Sequence, residues 1–354
     1  RDAWFAQRTL YSQCMKRNKN ECYIIAELSA NHGGSLDIVY KTMDAALEVG
    51  ANAFKLQSYT ADTITLNAKQ EHFKINQGTH WDGQYLYELY EKAALPWEWH
   101  KLIFEYAEKI GIDCFSSPFD HSAVDLLEEL NAPAYKIASF EITDIPLIAY
   151  VASKGKPVII STGIANEEDI ALAIETCHKA GNQDITLLKC TSEYPAQPEN
   201  ANLLTIPDMK KKFGTAVGLS DHTLGIEAPV VAVSLGATVI EKHFILDKSI
   251  GGADAHFSLD KNEFKQMVNA VRTTEKLLGK VDYELTEKKI KSRHFSRSLF
   301  IAEDVKKGEI LTSRNVRSVR PGIGLHPKHF NTVLGSIAKD NYPKGTPLET
   351  TMFE

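Results

Sequence analysis

Two histidines that follow apolar runs carry the clearest chemical signal in this sequence. His222 ends the run AVGLSDH, and His243 lies in the next apolar run, TVIEKHF. Two imidazoles on neighbouring strands can bind one divalent ion, and the carboxylate of Glu27, at the end of the first apolar run, would complete a Lewis-acid site. Asp221 is a candidate for orienting His222. The alternative is that each histidine is a hydrogen-bonded structural residue.

Two lysines lie close to buried apolar runs, where an unpaired ammonium group is costly. Lys55 lies in AFKLQ and Lys136 in AYKIAS. A polyanionic ligand would compensate their charges, so the pair predicts a site for a phosphate and a carboxylate. Five serines near the same run ends can donate hydrogen bonds to such a ligand: Ser117, Ser139, Ser161, Ser192 and Ser220. The alternatives are salt bridges to Glu27, Glu141 or Glu241, and the Schiff-base lysine of a class I aldolase.

Eight short apolar runs, most of them separated by helical periodicity, must position these groups. Near-continuous apolar runs are typical of parallel strands that are buried on both faces. Eight strand–helix units predict an α/β fold, a (β/α)8 TIM barrel, whose active site lies at the carboxyl ends of the strands. The runs are YIIAE (23–27), AFKLQ (53–57), DCFSS (113–117), AYKIAS (134–139), PVIISTG (157–163), ITLLKC (185–190), AVGLSDH (216–222) and TVIEKHF (238–244).

Length and composition exclude several classes of protein. The 354 residues suffice for a barrel of roughly 250 residues and a small extra domain. A net charge of −6 argues against non-specific nucleic-acid binding, and no apolar run approaches the length of about 20 residues that spans a membrane. The first 20 residues lack the apolar core of a signal peptide. Five cysteines without CxxC spacing indicate buried free thiols and a cytoplasmic location.

The pattern divides the chain into four parts: an N-terminal extension (1–20), the barrel (21–280), a charged linker (281–294) and a β-rich domain (295–354). In the last part, DVKKGEIL and NYPKGTPL look like two copies of one turn, which predicts a compact pseudo-symmetric domain. The longest connection in the barrel, between the second and third strands, is rich in aromatic residues. We expect it to form a wall or lid that faces the substrate, with dimerisation or packing as the alternative.

These residues, taken in order, carry a resemblance to a known family. The segments IAELSANHGGS, FKLQSYT, FSSPFD, AYKIASFEI, ISTG, LLKCTSEYPA, GLSDHT, IEKHF and GGADAHFSL are similar to those of the sialic acid synthase family. That family condenses phosphoenolpyruvate with an acylated amino sugar. The C-terminal part resembles the antifreeze-like (SAF) domain of the same family. The resemblance runs from Tyr23 to the C-terminus.

The resemblance implies roles for individual residues. His222 and His243 match the ligands of a divalent ion, with Mn²⁺ as the first expectation and Mg²⁺ or Co²⁺ as alternatives, and Glu27 matches the acid beside that ion. Arg320 matches an arginine that the SAF domain inserts into the active site of the partner in a swapped homodimer. The residues that match phosphoenolpyruvate contacts are Lys55, Ser117, Lys136, Ser139, Ser161, Ser192 and Ser220. Those that match groups near the sugar are Gln57, Phe119, Glu141, Tyr194, Asp254 and Arg320.

Within the family, several segments resemble the pseudaminic branch. They include GTHWDGQYLYELYEKAALPWEWH and FSRSLF. The sugar of that branch is 2,4-diacetamido-2,4,6-trideoxy-β-L-altropyranose. An N-acetylneuraminate or legionaminate synthase would use the same chemistry on a different aldose. A class I aldolase and a non-catalytic sugar- or ice-binding protein are the more distant alternatives.

Overall fold

The protein consists of two compact units, one that ends at Gly279 and one that runs from Lys280 to Glu354. The structure is a computed structural model that describes residues 21–76, 78 and 81–354. The predicted N-terminal extension lies outside the described residues. No helix in the described part of the chain combines the length and the apolar character needed to cross a membrane.

The first unit is a closed barrel of eight parallel strands in sequence order, which confirms the predicted fold. Each predicted apolar run coincides with one strand, although the second and third strands extend one residue beyond their runs. The fourth strand is much shorter than its run, and His222 directly follows the seventh strand instead of ending it. The strands are β1 (Tyr23–Glu27), β2 (Ala53–Ser58), β3 (Asp113–Pro118), β4 (Tyr135–Ile137), β5 (Val158–Ser161), β6 (Ile185–Cys190), β7 (Ala216–Asp221) and β8 (Val239–His243).

Helices alternate with these strands, and several have sequence-encoded ends. Asp120 and Asn166 accept hydrogen bonds from backbone amides at the starts of the helices His121–Glu129 and Glu167–Lys179. Gly111 and Gly214 directly follow two other helices and have the left-handed conformation. The helices are α1 (Leu36–Glu48), α2 (Ala61–Ile64), α3 (Leu86–Ala93), α4 (Trp99–Ile110), α5 (His121–Glu129), α6 (Ile145–Ser153), α7 (Glu167–Lys179), α8 (Thr205–Phe213), α9 (Glu227–Ser234) and α10 (Lys261–Leu278).

Side-chain alternation along the strands creates two separate cores. Because successive strand residues point to opposite faces, one set fills the barrel and the other contacts the helices. The interior set contains Tyr23, Ile25, Ala53, Phe115, Ala134, Ile159, Leu188 and Val239. Residues of the opposite parity, such as Ile24, Phe54 and Ile240, belong to the larger core between strands and helices. The interior core lies below the polar residues at the carboxyl ends, so it closes the floor of the site.

The second unit has the pseudo-symmetry that its two similar turns predicted. Strands β9 (Ser298–Ile301) and β10 (Val316–Val319) pair antiparallel, and the unit has its own buried core. Lys307 N donates to Asn341 Oδ1 at 2.9 Å, and Lys344 N donates to Asp304 Oδ1 at 2.8 Å. The two contacts are equivalent, because Lys307 and Lys344 occupy the same position in the two turns, as do Asp304 and Asn341. Helices α11 (Glu287–Ser292) and α12 (Phe330–Val333) complete the unit, and α11 lies within the interval expected to be a linker.

Gly218 provides a test of the interior packing. A Cβ at this position would lie 2.3 Å from the carbonyl oxygen of Val239 and 2.6 Å from Cδ2 of Leu188. We expect Gly218→Ala to lower the free energy of unfolding by about 3 kcal/mol, in the upper range for an overpacked core. Gly214→Ala is the control, because its Cβ would meet no atom within 4 Å although φ is +69°, which costs about 1 kcal/mol. Equal losses in urea unfolding would contradict the packing argument.

Candidate active site

Nearly all the predicted site residues of the barrel lie at one end of it, in or just after the carboxyl ends of the strands. Glu27, Lys55, Ser117, Lys136, Ser161, Ser220 and His243 lie in strands β1 to β5, β7 and β8, and His222 follows β7 directly. Phe119, Ser139, Glu141, Ser192, Tyr194 and Asp254 lie in the connections that follow the strands. Closure of the barrel therefore brings together residues that are more than 200 positions apart.

The two histidines are neighbours, as the strand order predicted. Their ring centroids are 5.3 Å apart, and both side chains are buried. His222 Nδ1 lies 2.8 Å from the carbonyl oxygen of Thr191. A carbonyl only accepts, so Nδ1 carries the proton and Nε2 keeps its lone pair for a ligand. The direct contact that we expected between Asp221 and the His222 ring is not seen, because the carboxylate of Asp221 contacts Lys242 and Thr223 instead.

His243 presents a second nitrogen that is available for a ligand. Its Nδ1 is buried and has no hydrogen-bond partner among the described residues, and it lies 3.8 Å from Oδ2 of Asp254. Burial holds the pKa of His243 well below its ordinary value. The ring is therefore neutral near pH 7. A neutral imidazole with an unpaired buried nitrogen suits a divalent metal ion.

Glu27 does not complete a three-residue metal site here. Its Oε2 lies 2.6 Å from Nζ of Lys55, and its Oε1 accepts a hydrogen bond from Nε2 of Gln57 at 3.2 Å. Over the ranges that the structure describes, no group of three or more His, Cys, Asp and Glu side chains is arranged to hold a metal ion. The donor set that fits a metal is thus the histidine pair, which would leave coordination positions open for further ligands.

The two lysines belong to a buried cluster of alternating charges. Besides Glu27, Lys55 approaches Glu241 to 3.8 Å, and Lys136 approaches the same carboxylate to 3.4 Å. All four side chains are at least 93% buried. The salt-bridge alternative is therefore observed for Lys55 with Glu27 and for both lysines with Glu241. The prediction that the lysines bind an anion stays a prediction.

Burial shifts the pKa values of these four groups in different directions. It raises the pKa of Glu27 to about 7, against the opposing effect of Lys55, and it lowers the pKa of Lys136, with Lys55 adding to the shift. For Lys55, burial is outweighed by Glu241 and Glu27, so the pKa is raised. Lys136 and Lys55 likewise outweigh burial at Glu241 and lower its pKa. A cluster of neighbouring groups whose pKa values are shifted in different directions is typical of a catalytic centre.

The predicted anion-binding serines converge on this cluster. Ser117 Oγ accepts a hydrogen bond from Lys55 Nζ at 3.3 Å, and Ser220 Oγ donates to Glu241 Oε1 at 2.9 Å. The hydroxyl of Ser161 is buried and has no hydrogen-bond partner within the described parts of the chain. A buried polar atom without a partner is costly, and a ligand oxygen would satisfy it.

Gly163 holds two further serines close to the backbone. Its amide donates to Ser139 Oγ at 3.1 Å. A Cβ at this position would lie 2.1 Å from Ser192 Oγ and 2.7 Å from Ser139 Oγ. Only glycine lets both hydroxyls approach the turn after β5. The sequence analysis identified Ser161 of the same run as a candidate, but it missed this glycine.

Aromatic rings line the other side of the site. The ring of Tyr194 lies 4.4 Å from that of His222, and Trp81 of the β2–β3 connection lies 6.4 Å from Tyr194. Phe119 packs at 5.1 Å against Tyr59. The contact of Trp81 supports the prediction that the long connection is a wall of the site.

Two acids lie near these rings. Asp254 Oδ2 accepts a hydrogen bond from the hydroxyl of Ser29. Glu141 has a buried Oε2 without a hydrogen-bond partner among the described residues. Burial, opposed in part by Lys136, raises the pKa of Glu141 to about 7. A carboxyl with this pKa exists substantially as the protonated form at neutral pH, and that form donates a hydrogen bond.

Two residues near the histidines were missed by sequence reasoning. Cys190 Sγ lies 3.8 Å from Nδ1 of His222, and the ring of Phe257 lies 4.8 Å from that of His243. Burial works to raise the pKa of Cys190, but His222, Ser139 and Lys136 together outweigh it and lower the value to about 7. Cys190 ends β6 in the same way that Glu27 ends β1. Its position at a strand end could have identified Cys190 as a site residue, but the sequence analysis interpreted all the cysteines as buried free thiols.

Arg320 belongs to the second unit, where it directly follows β10 and is exposed. Its predicted place in the active site of a partner subunit stays a prediction.

Comparison with known proteins places this arrangement in a family. Residues 42–283 match the NeuB family, and residues 296–354 match the SAF domain, which confirms the predicted C-terminal domain. Pseudaminic acid synthase of Campylobacter jejuni (strain 81-176) is 50% identical over 94% of this chain and 96% of its own. Pseudaminic acid synthase of Helicobacter pylori is 48% identical over 94% and 97%. N,N'-diacetyllegionaminic acid synthase of Legionella pneumophila is 36% identical over 92% and 93%.

A solved structure agrees with the sequence relatives. The putative spore coat polysaccharide biosynthesis protein E of Chromobacterium violaceum is 27% identical, with a TM-score of 0.71 over 94% of this chain and all of its own. The matches therefore cover both the barrel with its histidine pair and the small domain that follows it. The chain belongs to the NeuB family.

Proposed function

We propose that the protein is a synthase that condenses phosphoenolpyruvate with 2,4-diacetamido-2,4,6-trideoxy-β-L-altropyranose and water to form pseudaminic acid and phosphate. The observation that carries the proposal is the 50% identity to a pseudaminic acid synthase across almost the whole of both chains. The histidine pair, the two buried lysines and the aromatic wall supply groups for the metal, the anion and the sugar.

The lysine–glutamate cluster would bind phosphoenolpyruvate. Its four charges sum to zero when Glu27 and Glu241 are ionised, so an incoming phosphate and carboxylate compete with these glutamates for Lys55 and Lys136. The unpaired hydroxyl of Ser161 and the convergent Ser139 and Ser192 would donate to the anion. Fixed donors of this kind stabilise developing charge without reorganisation.

In the proposed reaction, C3 of phosphoenolpyruvate attacks the aldehyde carbon of the open-chain sugar, and the aldehyde oxygen takes up a proton. Water adds to C2, and Glu27 accepts the proton that the water loses. A pKa of about 7 suits this role. The bond between C2 and the bridging oxygen then breaks, and phosphate leaves with that oxygen. The remaining hydroxyl gives its proton to the leaving phosphate and becomes the ketone of the nine-carbon acid.

His222 and His243 would hold a divalent ion, with Mn²⁺ as the first candidate and Mg²⁺ or Co²⁺ as alternatives. The ion would act as a Lewis acid that polarises the aldehyde oxygen of the sugar. Thr191 fixes the tautomer of His222 by accepting its Nδ1 proton. Tyr194 and Phe257 pack against both rings and exclude water from this side of the pair.

The sugar would lie between the aromatic wall and the two acids near it. Tyr194 and Phe119 offer apolar faces for the acetamido methyl groups and the deoxy carbon, while Asp254 and Gln57 can bind hydroxyl or amide groups. Protonated Glu141 can donate a hydrogen bond to an acetamido carbonyl. We also propose that the protein works in the cytoplasm as a swapped homodimer, in which Arg320 of one subunit reaches the sugar of the other. Cys114, Cys177 and Cys190 are buried free thiols, which is consistent with that compartment.

The substrate assignment is tested by phosphate release from phosphoenolpyruvate with Mn²⁺. We expect release with the diacetamido-altrose sugar, at least 100-fold slower release with N-acetylmannosamine, and loss of release in EDTA. Release with N-acetylmannosamine or the legionaminate precursor alone would keep the family chemistry and overturn the proposed sugar. Activity that survives EDTA, together with borohydride trapping of Lys136, would replace the proposal with a class I aldolase.

The pKa of Glu141 generates a prediction about pH. A carboxyl with a raised pKa keeps its proton below about pH 7 and loses it above. We therefore expect the KM for the sugar to rise by up to tenfold per pH unit above pH 7 in the wild-type enzyme. Glu141→Gln keeps an N–H donor and does not titrate, so its KM should stay flat between pH 6 and 8.5.

The control is Glu175→Gln, which removes an exposed helical carboxylate paired with Lys179 and should keep the wild-type profile. A Glu141→Gln enzyme whose KM rises with pH as in the wild type would show that another group causes the effect.

A further inference from the structure

An ion pair lies immediately behind the histidines, outside the barrel interior. The ammonium of Lys242 contacts the carboxylate of Asp221, and both side chains are 1% exposed. Lys242 pairs in register with Asp221 on β7 and with Ala26 on β1. The side chain of Lys242 points to the same face of β8 as that of Ile240, which belongs to the core between strands and helices. The pair therefore lies in the apolar layer and does not face the site.

A buried ion pair in an apolar layer requires an explanation. Removing two ions from water costs several kcal/mol each, and apolar residues of similar volume often replace a buried pair without loss of stability. Neither residue belongs to the proposed anion, sugar or metal contacts. Stability alone is thus a weak explanation for this pair.

The hydrogen bonds of the pair point to the backbone around His222. Lys242 Nζ donates to the carbonyl oxygen of Thr223 at 2.6 Å. Asp221 Oδ1 accepts from both the amide and the hydroxyl of Thr223, at 2.9 and 2.8 Å. The residues on either side of His222 are therefore held by one network. The positive charge in this network is the ammonium group of Lys242, the residue before His243.

The same stretch also holds the loop that carries Tyr194. Ala196 N donates to the carbonyl oxygen of His222 at 2.9 Å, and Ala196 forms a parallel bridge with Thr223. A shift of the segment 221–223 would therefore move His222 and the tyrosine loop together, while His243 would stay with β8.

We propose that Lys242, through Asp221 and Thr223, is a positioning residue that sets the separation of the two imidazoles. It contacts no substrate and acts by tying the end of β7 to the end of β8. The inference rests on the proposed function only in assuming that the imidazole pair holds the catalytic metal ion. Residues behind metal ligands commonly contribute 10- to 100-fold in metal affinity or activity.

The test uses the full-length double variant Asp221→Asn/Lys242→Met, which removes both charges and keeps similar volumes. We expect a folded enzyme with a melting temperature near that of the wild type. Its kcat should fall at least tenfold while the KM for phosphoenolpyruvate stays within twofold, because the lysine–serine cluster is untouched. In an EPR titration of free Mn²⁺, its Kd should rise 10- to 100-fold.

Asp125→Asn/Lys154→Met is the matched control, since it removes a Lys–Asp pair that is 3.3 Å apart on the outside of the barrel. It should leave kcat and Mn²⁺ affinity unchanged. If the double variant does not fold, Asp221→Asn alone must lower kcat and Mn²⁺ affinity in the same direction.

Wild-type kcat and Mn²⁺ affinity in a folded double variant would assign the pair a structural role only and overturn the proposal. A wild-type enzyme that binds Mn²⁺ but converts none of the sugars would refute the proposed function, and the Mn²⁺ titration would still decide the role of Lys242. A wild-type enzyme that turns over without binding Mn²⁺ would refute the metal assignment and with it the proposed separation of metal ligands.

Discussion

Closure of the barrel between β1 and β8 is the constraint on which the site depends. The register of closure pairs Glu27 with His243, and the next pairing aligns Glu27 with Lys55. Because side chains alternate along each strand, these three point to the same interior and lie side by side at its carboxyl end. A register shift of one residue would turn them towards the helices and place Lys242 and its neighbours in the mouth. The chemistry is therefore a consequence of how the sheet closes.

The same closure concentrates four charges in a space with little water. Lys55 bridges Glu27 and Glu241, and Lys136 pairs with Glu241. Such a cluster is stable only while its charges offset one another. Binding of an anion and a divalent cation would change both sides of this arrangement. The pairing with the two glutamates offsets part of the desolvation penalty of the two buried lysines.

Strand order and strand ends could be predicted from the sequence because the apolar runs are short and regularly interrupted by helical segments. That order was enough to make His222 and His243 neighbours. The sequence could not decide whether Glu27 pairs with a lysine or binds a metal ion, since both alternatives place it at the same end of the barrel. Side-chain parity would have excluded a direct contact of Asp221 with the His222 ring, because it places that carboxylate on the helix side. Gly163 could not be recognised because its role depends on two serines from other strand ends.

The central claim is that His222 and His243 together hold the catalytic divalent ion. It is tested most directly by anomalous diffraction from crystals of the full-length protein grown with Mn²⁺, measured alongside crystals of His243→Ala. The account predicts one anomalous peak within bonding distance of a ring nitrogen of both histidines, and no peak there in the variant. A peak elsewhere in the barrel, or one that persists unchanged in His243→Ala, would contradict it.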